Sequence, residues 1–391
     1  MTYAIPSSFP KILFIADEIP QSVNAGSIQF YRLFKNYPSD KLLVIGRASV
    51  PYAKTLRCSY YTLKYPLLDR LRKSRFSSYL ADLHSLGLFL PTLPQQLKKV
   101  INEFEPDMVI SLMQLITFYY PAYHYAKHQH IPFILFCHDD AEDFAKPHKF
   151  LKEHLTTLNA KIYHSAKKRI CISPEMAKTW EEKYKAESDF LYPTASENIK
   201  ARAAEKAKTL INDNHLTIGY AGSLAYGYRE GINEIVPVLE NTNSKLKIYR
   251  SNDPGIISSS VIEFAGFAKT PEETWNRITE ECDVVLLPYS KEKKFENLYR
   301  THFPSKLPEY LELKMPIIVN GPSYANGLRY GKTNNMFFNT TSNSELEDIL
   351  KKLASNTELR IKSIETSNKS HDFEPELIIK KFYSIINKVL Q

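Results

Sequence analysis

The chain has 391 residues, 43% of them hydrophobic and 24% charged, the balance of a soluble globular protein long enough for two ordinary cores. Its net charge of +8 suits an acidic partner, whether nucleic acid, an anionic membrane surface or a phosphorylated substrate. No apolar run reaches the about eighteen residues of a membrane span, and the opening MTYAIPSSFPKILFIAD lacks a basic leader and a long apolar core, so neither secretion nor spanning is expected.

Strand-like runs in the first half fall at 11–17 (KILFIAD), 41–47 (KLLVIGR), 107–112 (DMVISL), 133–139 (FILFCHD) and 169–173 (RICIS). Helix-length stretches separate them, which reads as βαβ units on a mostly parallel sheet. The second half repeats the plan at 217–222, 245–250, 261–264, 283–289 and 316–320, with a seam expected near 195–214. From Pro375, apolar residues Ile378, Phe382, Ile385, Ile386 and Leu390 recur near helical spacing and predict a C-terminal amphipathic helix. Cys58, Cys137, Cys171 and Cys282 are far apart, and three sit in or beside strand-like runs, as free thiols in a reducing cytoplasm would.

Ligands of doubly wound sheets sit beyond the carboxyl ends of the strands, so the loops there carry the candidates. After the first strand, Ala25-Gly26-Ser27 opens a helix, where Gly26 admits a ligand close to the backbone or simply makes a βα turn. No GxGxxG or GxxxxGK[ST] pattern occurs. After the fourth run comes His138-Asp139-Asp140, a histidine able to meet hydroxyls or phosphate with carboxylates to set its tautomer. The eleven histidines offer no His-x3-His pair on a convincing helix, with His124, His128 and His130 reading as surface residues of one helix end, so no metal is expected.

In the second half Gly222 and Ser223 end a strand in small residues that let backbone approach a phosphate, and Arg229 is a candidate clamp. The stretch 263–267 ends another strand, where backbone could read the edge of a base while Phe267 packs beside its ring. The densest signal is YRTHFPSKLPEYLELKMPIIVNG at 299–321: a helix predicted to be N-capped by Ser305 and stopped by Pro316, then a buried strand. Leu307, Tyr310 and Leu311 define its apolar face, off which Glu309 falls. Lys306 at the helix start, with Arg300 and His302 before it, makes an anion site or an ordinary βα connection.

In order and spacing, KILFIADEIPQSVNAGSIQF, PDMVISL, PFILFCHDD, RICISPEMAKTW, TIGYAGSL, IEFAGF, CDVVLLPYS and FPSKLPEYLELKMPIIVNGP resemble the retaining, nucleotide-sugar-dependent glycosyltransferases of family four, over nearly the whole chain. The resemblance implies an α/β GT-B fold of two doubly wound Rossmann-like domains: residues 1–200 for the acceptor, 201–374 for the nucleotide-sugar, and 375–391 a helix packing back on the first domain. Glu309 matches the second glutamate of the family signature and would accept the ribose hydroxyls. Thr301 stands where the first, sugar-holding glutamate is usual. His138 matches a histidine that meets the donor sugar, and Gly26 a glycine beneath the diphosphate. Ser223 and Glu230 stand where the family often has arginine and lysine, so Lys306 first and Arg229 second would supply the positive charge.

The function so implied is transfer of a sugar, with retention, from a UDP-sugar by preference or a GDP-sugar to a glycan or lipid-linked acceptor in surface polysaccharide or glycoconjugate synthesis. His138, Lys306 and Arg229 would be catalytic, with no catalytic metal and no cofactor beyond the donor. Asp139, Asp140 and Tyr119 are acceptor candidates, the tyrosine as one of a group with Tyr120, Tyr123 and Tyr125 that could stack on a sugar. The basic, partly apolar stretch 68–76 suits an anionic membrane surface at the inner face, or is a solvated basic face. No nucleic-acid motif accompanies the charge. The competing reading is a GT-B-like binding or partner subunit that has lost catalysis.

Overall fold

Apolar runs of four to five residues become parallel strands buried on both faces, the pattern that covered parallel sheets require. The computed structural model describes all residues except 1–8, 24, 52, 72–79, 81–91, 140–148, 197–198, 200, 202–214 and 368–370. The chain divides into two units: one runs to Tyr192 and regains Glu376–Gln391, the other is Pro193–Pro375.

The first unit holds β1 (Ile12–Ile15), β2 (Leu42–Gly46), β3 (Ser59–Thr62), β4 (Met108–Leu112), β5 (Phe133–Cys137), β6 (Lys168–Cys171) and β7 (Asp189–Phe190). Their order is β3-β2-β1-β4-β5-β6-β7, all parallel, so chain order reverses between β1 and β4. Edge strand β3 lies outside the runs expected from sequence, because SYYT is mostly exposed, and edge strand β7 at Asp189–Phe190 is only two residues long. Helix Pro375–Leu390 buries Ile378, Phe382, Tyr383, Ile385, Ile386 and Val389. Phe382 meets Phe34 and Phe136 with ring centroids at 5.4 and 5.9 Å, while Leu390, expected on that face, is exposed.

The second unit holds β8 (Thr217–Ala221), β9 (Lys245–Tyr249), β10 (Ile262–Phe264), β11 (Val284–Pro288), β12 (Ile317–Asn320) and β13 (Phe338–Thr340). The order β10-β9-β8-β11-β12-β13, again all parallel, repeats the same reversal between β8 and β11. Helix starts follow local capping chemistry: Ser173, Thr270 and Ser342 each accept a backbone N–H three residues on, and Pro174 and Pro271 follow the first two caps.

The helix in the 299–321 stretch departs from expectation. It spans Lys306–Glu312, Ser305 has helical backbone angles and makes no side-chain cap, and the chain leaves the helix at Leu313 and left-handed Lys314, before Pro316. Glu309 is buried along with Leu307, Tyr310 and Leu311, although the helical spacing of those three residues placed it off the apolar face. Its Oε2 accepts the Ser196 N–H at 2.9 Å, which compensates the burial. Among the described residues no helix is long and apolar enough to cross a membrane.

Candidate functional site

In the second unit the loop after β8 begins with Gly222 at φ +114°. A Cβ there would stand 2.6 Å from Lys306 Cε, so the glycine leaves room for that side chain. The Lys306 Nζ lies 3.8 Å from the Tyr228 ring centroid and 5.3 Å from that of Tyr220, a cation over the negative faces of two rings. No carboxylate pairs with it among the described residues, and removal from water lowers its pKa from 10.5 to about 7. Burial holds both facing phenols neutral, well above the ordinary tyrosine range, so Lys306 is the group of this cluster that titrates near neutrality. The helix it starts is only seven residues long, so the ammonium, more than the helix dipole, attracts an anion here.

The neighbouring candidates divide. Arg229 is bound bidentately by Asp253, Nε to Oδ1 at 3.1 Å and Nη2 to Oδ2 at 2.9 Å, with Arg250 Nη2 also 3.8 Å from that carboxylate. Its fork is therefore committed within the fold rather than presented as a clamp. Ser223 is exposed; its Oγ accepts the Ala225 N–H at 3.1 Å and its carbonyl accepts the Tyr220 hydroxyl at 2.5 Å. Thr301 is half-buried at the end of helix Glu296–Thr301, its hydroxyl directed to the Asn297 carbonyl at 3.4 Å. Phe267, following left-handed Gly266, is 72% exposed, free to cover a planar ligand.

In the first unit His138, just past β5, is half-buried and stacks on Phe30 with centroids at 5.1 Å and planes at 13°. Asp139 is half-buried beside it, and Asp140 lies outside the described residues. Gly26 stands second in helix Ala25–Phe34, with the Glu18 side chain against it: an added Cβ would meet Glu18 Cγ at 3.3 Å. Glu18 Oε2 accepts the Ser27 hydroxyl at 2.6 Å. A carboxylate thus already occupies this helix start, and a diphosphate beneath Gly26 would have to displace it.

Sequence reasoning missed Asp17, although its place at the carboxyl end of β1 could have marked it. It is 8% exposed, its Oδ1 is buried with no hydrogen-bond partner among the described residues, and its pKa rises from 3.8 to about 6. Burial is the main cause, then the adjacent Glu18, while Arg47 pulls the other way. On the neighbouring strand Ile15 of β1 pairs with Ser111 of β4, and just past β4 the Gln114 Oε1 is likewise buried without a hydrogen-bond partner among the described residues. Two orphaned acceptor oxygens where the strand order reverses ask for O–H or N–H donors.

Tyr119 is removed from the acceptor candidates: it is 1% exposed and donates to Asn159 Oδ1 at 2.7 Å, so its ring is core. His124 and His128, expected not to form a helical pair, stand one turn apart on helix Ile116–Gln129 with Nε2 atoms 3.1 Å apart. His124 is shifted down by burial, His128, Lys98 and Lys127, an unfavourable setting for a cation. Among the described residues no group of three potential ligands assembles. The basic stretch enters the described residues only through helix Pro66–Leu71, whose Arg70 is exposed.

Residues 56–190 match the family model for Glycosyltransferase Family 4. No curated protein matches the chain. Among solved structures, HepE of Anabaena, determined in complex with UDP and glucose, is similar with a TM-score of 0.68 and 14% identity over 97% of this chain and 100% of that one. Sucrose-phosphate synthase of Thermosynechococcus elongatus follows at 0.66 and 12%, covering 98% and 99%. A glycosyltransferase of Rickettsia africae reaches 0.59 and 11%, covering 99% and 100%. The fold is that of the GT-B glycosyltransferases, and the resemblance to family four read from sequence agrees with the family model that matches.

Proposed function

We propose that the chain is a glycosyltransferase whose second unit binds a nucleoside diphosphate sugar, a UDP-sugar by preference and a GDP-sugar as the alternative. The observation that carries this reading is the Lys306 ammonium, held against two neutral phenols with no carboxylate partner among the described residues, beside a glycine loop at the carboxyl end of β8. A desolvated cation of this kind lacks only an anion, and a diphosphate supplies one. Phe267 covers the base. Glu309 receives the ribose hydroxyls, its carboxylate oriented by Ser196.

As the bond from the anomeric carbon to the diphosphate breaks, negative charge grows on the departing phosphate, and Lys306 stabilises it there more than in the ground state. The acceptor hydroxyl enters on the same face, giving retention, and gives up its proton to the departing phosphate oxygen on that face. Lys306 does this without a metal, and Arg229 acts at one remove, by holding Asp253 and the loop around it. The first unit takes a glycan or lipid-linked acceptor, with His138, Asp139 and Asp17 as hydroxyl-binding groups at carboxyl ends of strands. The same reading places the protein in the cytoplasm, at the inner membrane face where lipid-linked acceptors for surface polysaccharide are made.

Thermal unfolding with UDP, GDP, CMP and their sugar conjugates tests the proposal. One base should raise the midpoint, and Lys306→Met should abolish the rise. No shift with any nucleotide, for a folded sample, overturns it in favour of a binding subunit without catalysis. Thr301, Ser223 and Glu230 in place of the usual groups, and the commitment of Arg229 to Asp253, favour that second reading.

A further inference from the structure

We propose that Arg250 binds the nucleoside-linked phosphate of the donor while Lys306 meets the sugar-linked one, an inference that rests on the donor reading above. Arg250 is the first residue past β9, and Gly222 the first past β8. The strands end with Ala221 paired to Tyr249, so Gly222 and Arg250 leave the sheet side by side. The Lys306 side chain lies against Gly222. Lys306 and Arg250 also share a neighbour in Tyr220: the ammonium lies over its ring, while burial and Tyr310 push its phenol up and the Arg250 charge opposes them. Both cations therefore stand at the same end of the sheet, on adjacent strands or against them.

What the fold does not supply is an acceptor for Arg250. Its side chain is 23% exposed, and its buried Nε has no hydrogen-bond partner among the described residues. Asp253, the carboxylate beside it, is already taken: Oδ1 accepts Arg229 Nε at 3.1 Å and the Gly255 N–H at 2.9 Å, and Oδ2 accepts Arg229 Nη2 at 2.9 Å. Arg250 Nη2 is left 3.8 Å from Oδ2, beyond hydrogen-bond distance. A half-buried guanidinium with an orphaned donor calls for an oxyanion, and its fork matches a phosphate. Strand order says which phosphate. β9 lies between β8 and β10, and the Arg250 carbonyl accepts the Gly266 N–H at 3.2 Å, next to Phe267. A nucleotide whose base lies against Phe267 and whose outer phosphate meets Lys306 carries its inner phosphate past Arg250.

Affinities measured by calorimetry for UDP and UMP, and for GDP and GMP, test the assignment. In Arg250→Gln the diphosphate and the monophosphate should weaken together, about ten- to a hundredfold, because both carry the phosphate that Arg250 meets. Lys306→Met should weaken the diphosphate and leave the monophosphate within about twofold. Arg250→Lys keeps the charge without the fork and should show the same joint loss at smaller size; it serves in place of Arg250→Gln if that variant does not fold. Were Arg250 only a brace for Asp253, Arg250→Gln would melt lower and bind both ligands as wild type does, which overturns the proposal. Loss of the diphosphate with the monophosphate retained overturns it too. Failure of the wild type to bind any of the four nucleotides sinks the donor reading instead, and inorganic pyrophosphate then decides for Arg250. A rise in melting midpoint that is lost in Arg250→Gln supports a phosphate site there; no rise, or one that survives the substitution, refutes it.

Discussion

At the carboxyl ends of the first sheet the loops carry Asp17, Glu18, His138 and Asp139, whereas the matching loop of the second sheet carries Lys306 against Gly222, Tyr220 and Tyr228. Both sheets reverse strand order at the same topological place. Topology therefore supplies two crevices, and side-chain charge decides what each can hold. Two groups express the difference most sharply. Asp17 is a carboxyl that burial drives toward its neutral form, and Lys306 is an amine driven the same way. Each is costly to keep in a fold, and each lies where a ligand could compensate it.

The largest effect expected on either side is on stability. Asp17 has a folded pKa raised from 3.8 to about 6, so the folded form holds its proton more tightly. Its contribution is fully present below pH 4 and is lost as pH rises through 6. By linkage that loss is up to roughly 3 kcal/mol. Asp17→Asn should therefore unfold at higher denaturant than wild type at pH 7.5, with the advantage vanishing near pH 4. An advantage independent of pH would remove Asp17 as its source.

On the basic side, Lys306→Met removes one charge-assisted contact of about 1.5–3 kcal/mol, so nucleotide affinity by calorimetry should fall about ten- to a hundredfold. The fold should not weaken, because a desolvated charge goes with it. Retained affinity would transfer the anion site elsewhere. A smaller effect follows from titration: with a pKa of about 7, Lys306 is charged below that pH and neutral above it, and the phenols facing it stay neutral. Affinity should thus drop about fivefold between pH 7 and pH 8, through the shrinking competent fraction. That slope should disappear in Lys306→Met; a slope that survives belongs to another group.

Arg229→Ala should have the smallest effect on binding, within about twofold, while lowering the melting midpoint, because its partner Asp253 would lose a bidentate bond. Loss of nucleotide binding in a variant that melts normally would restore Arg229 as a clamp.

Much of this was legible in the residues themselves. Continuous apolar runs such as FILFC and VVLLP, alternating with helix-length stretches, read as covered parallel strands, and their order along the chain predicts two doubly wound sheets. Edge strands β3 and β13 were not legible, since a strand paired on one side needs no apolar run. Lys306 was visible as a cation at a strand–helix connection. Its tyrosine partners were not, because Tyr220 and Tyr228 lie far from it in sequence.

Local chemistry alone determined the alternation of strand and helix, the seats of the loops and the family resemblance, because periodicity and turn residues act over a few positions. Only the tertiary structure decided which charges are spent and which are available. Arg229 meets Asp253 across 24 residues, Glu309 meets Ser196 across 113, and Tyr119 closes on Asn159 across 40. Pairing and burial depend on approach in space, and in a parallel α/β sheet neighbours in space are set by crossovers, not by sequence distance.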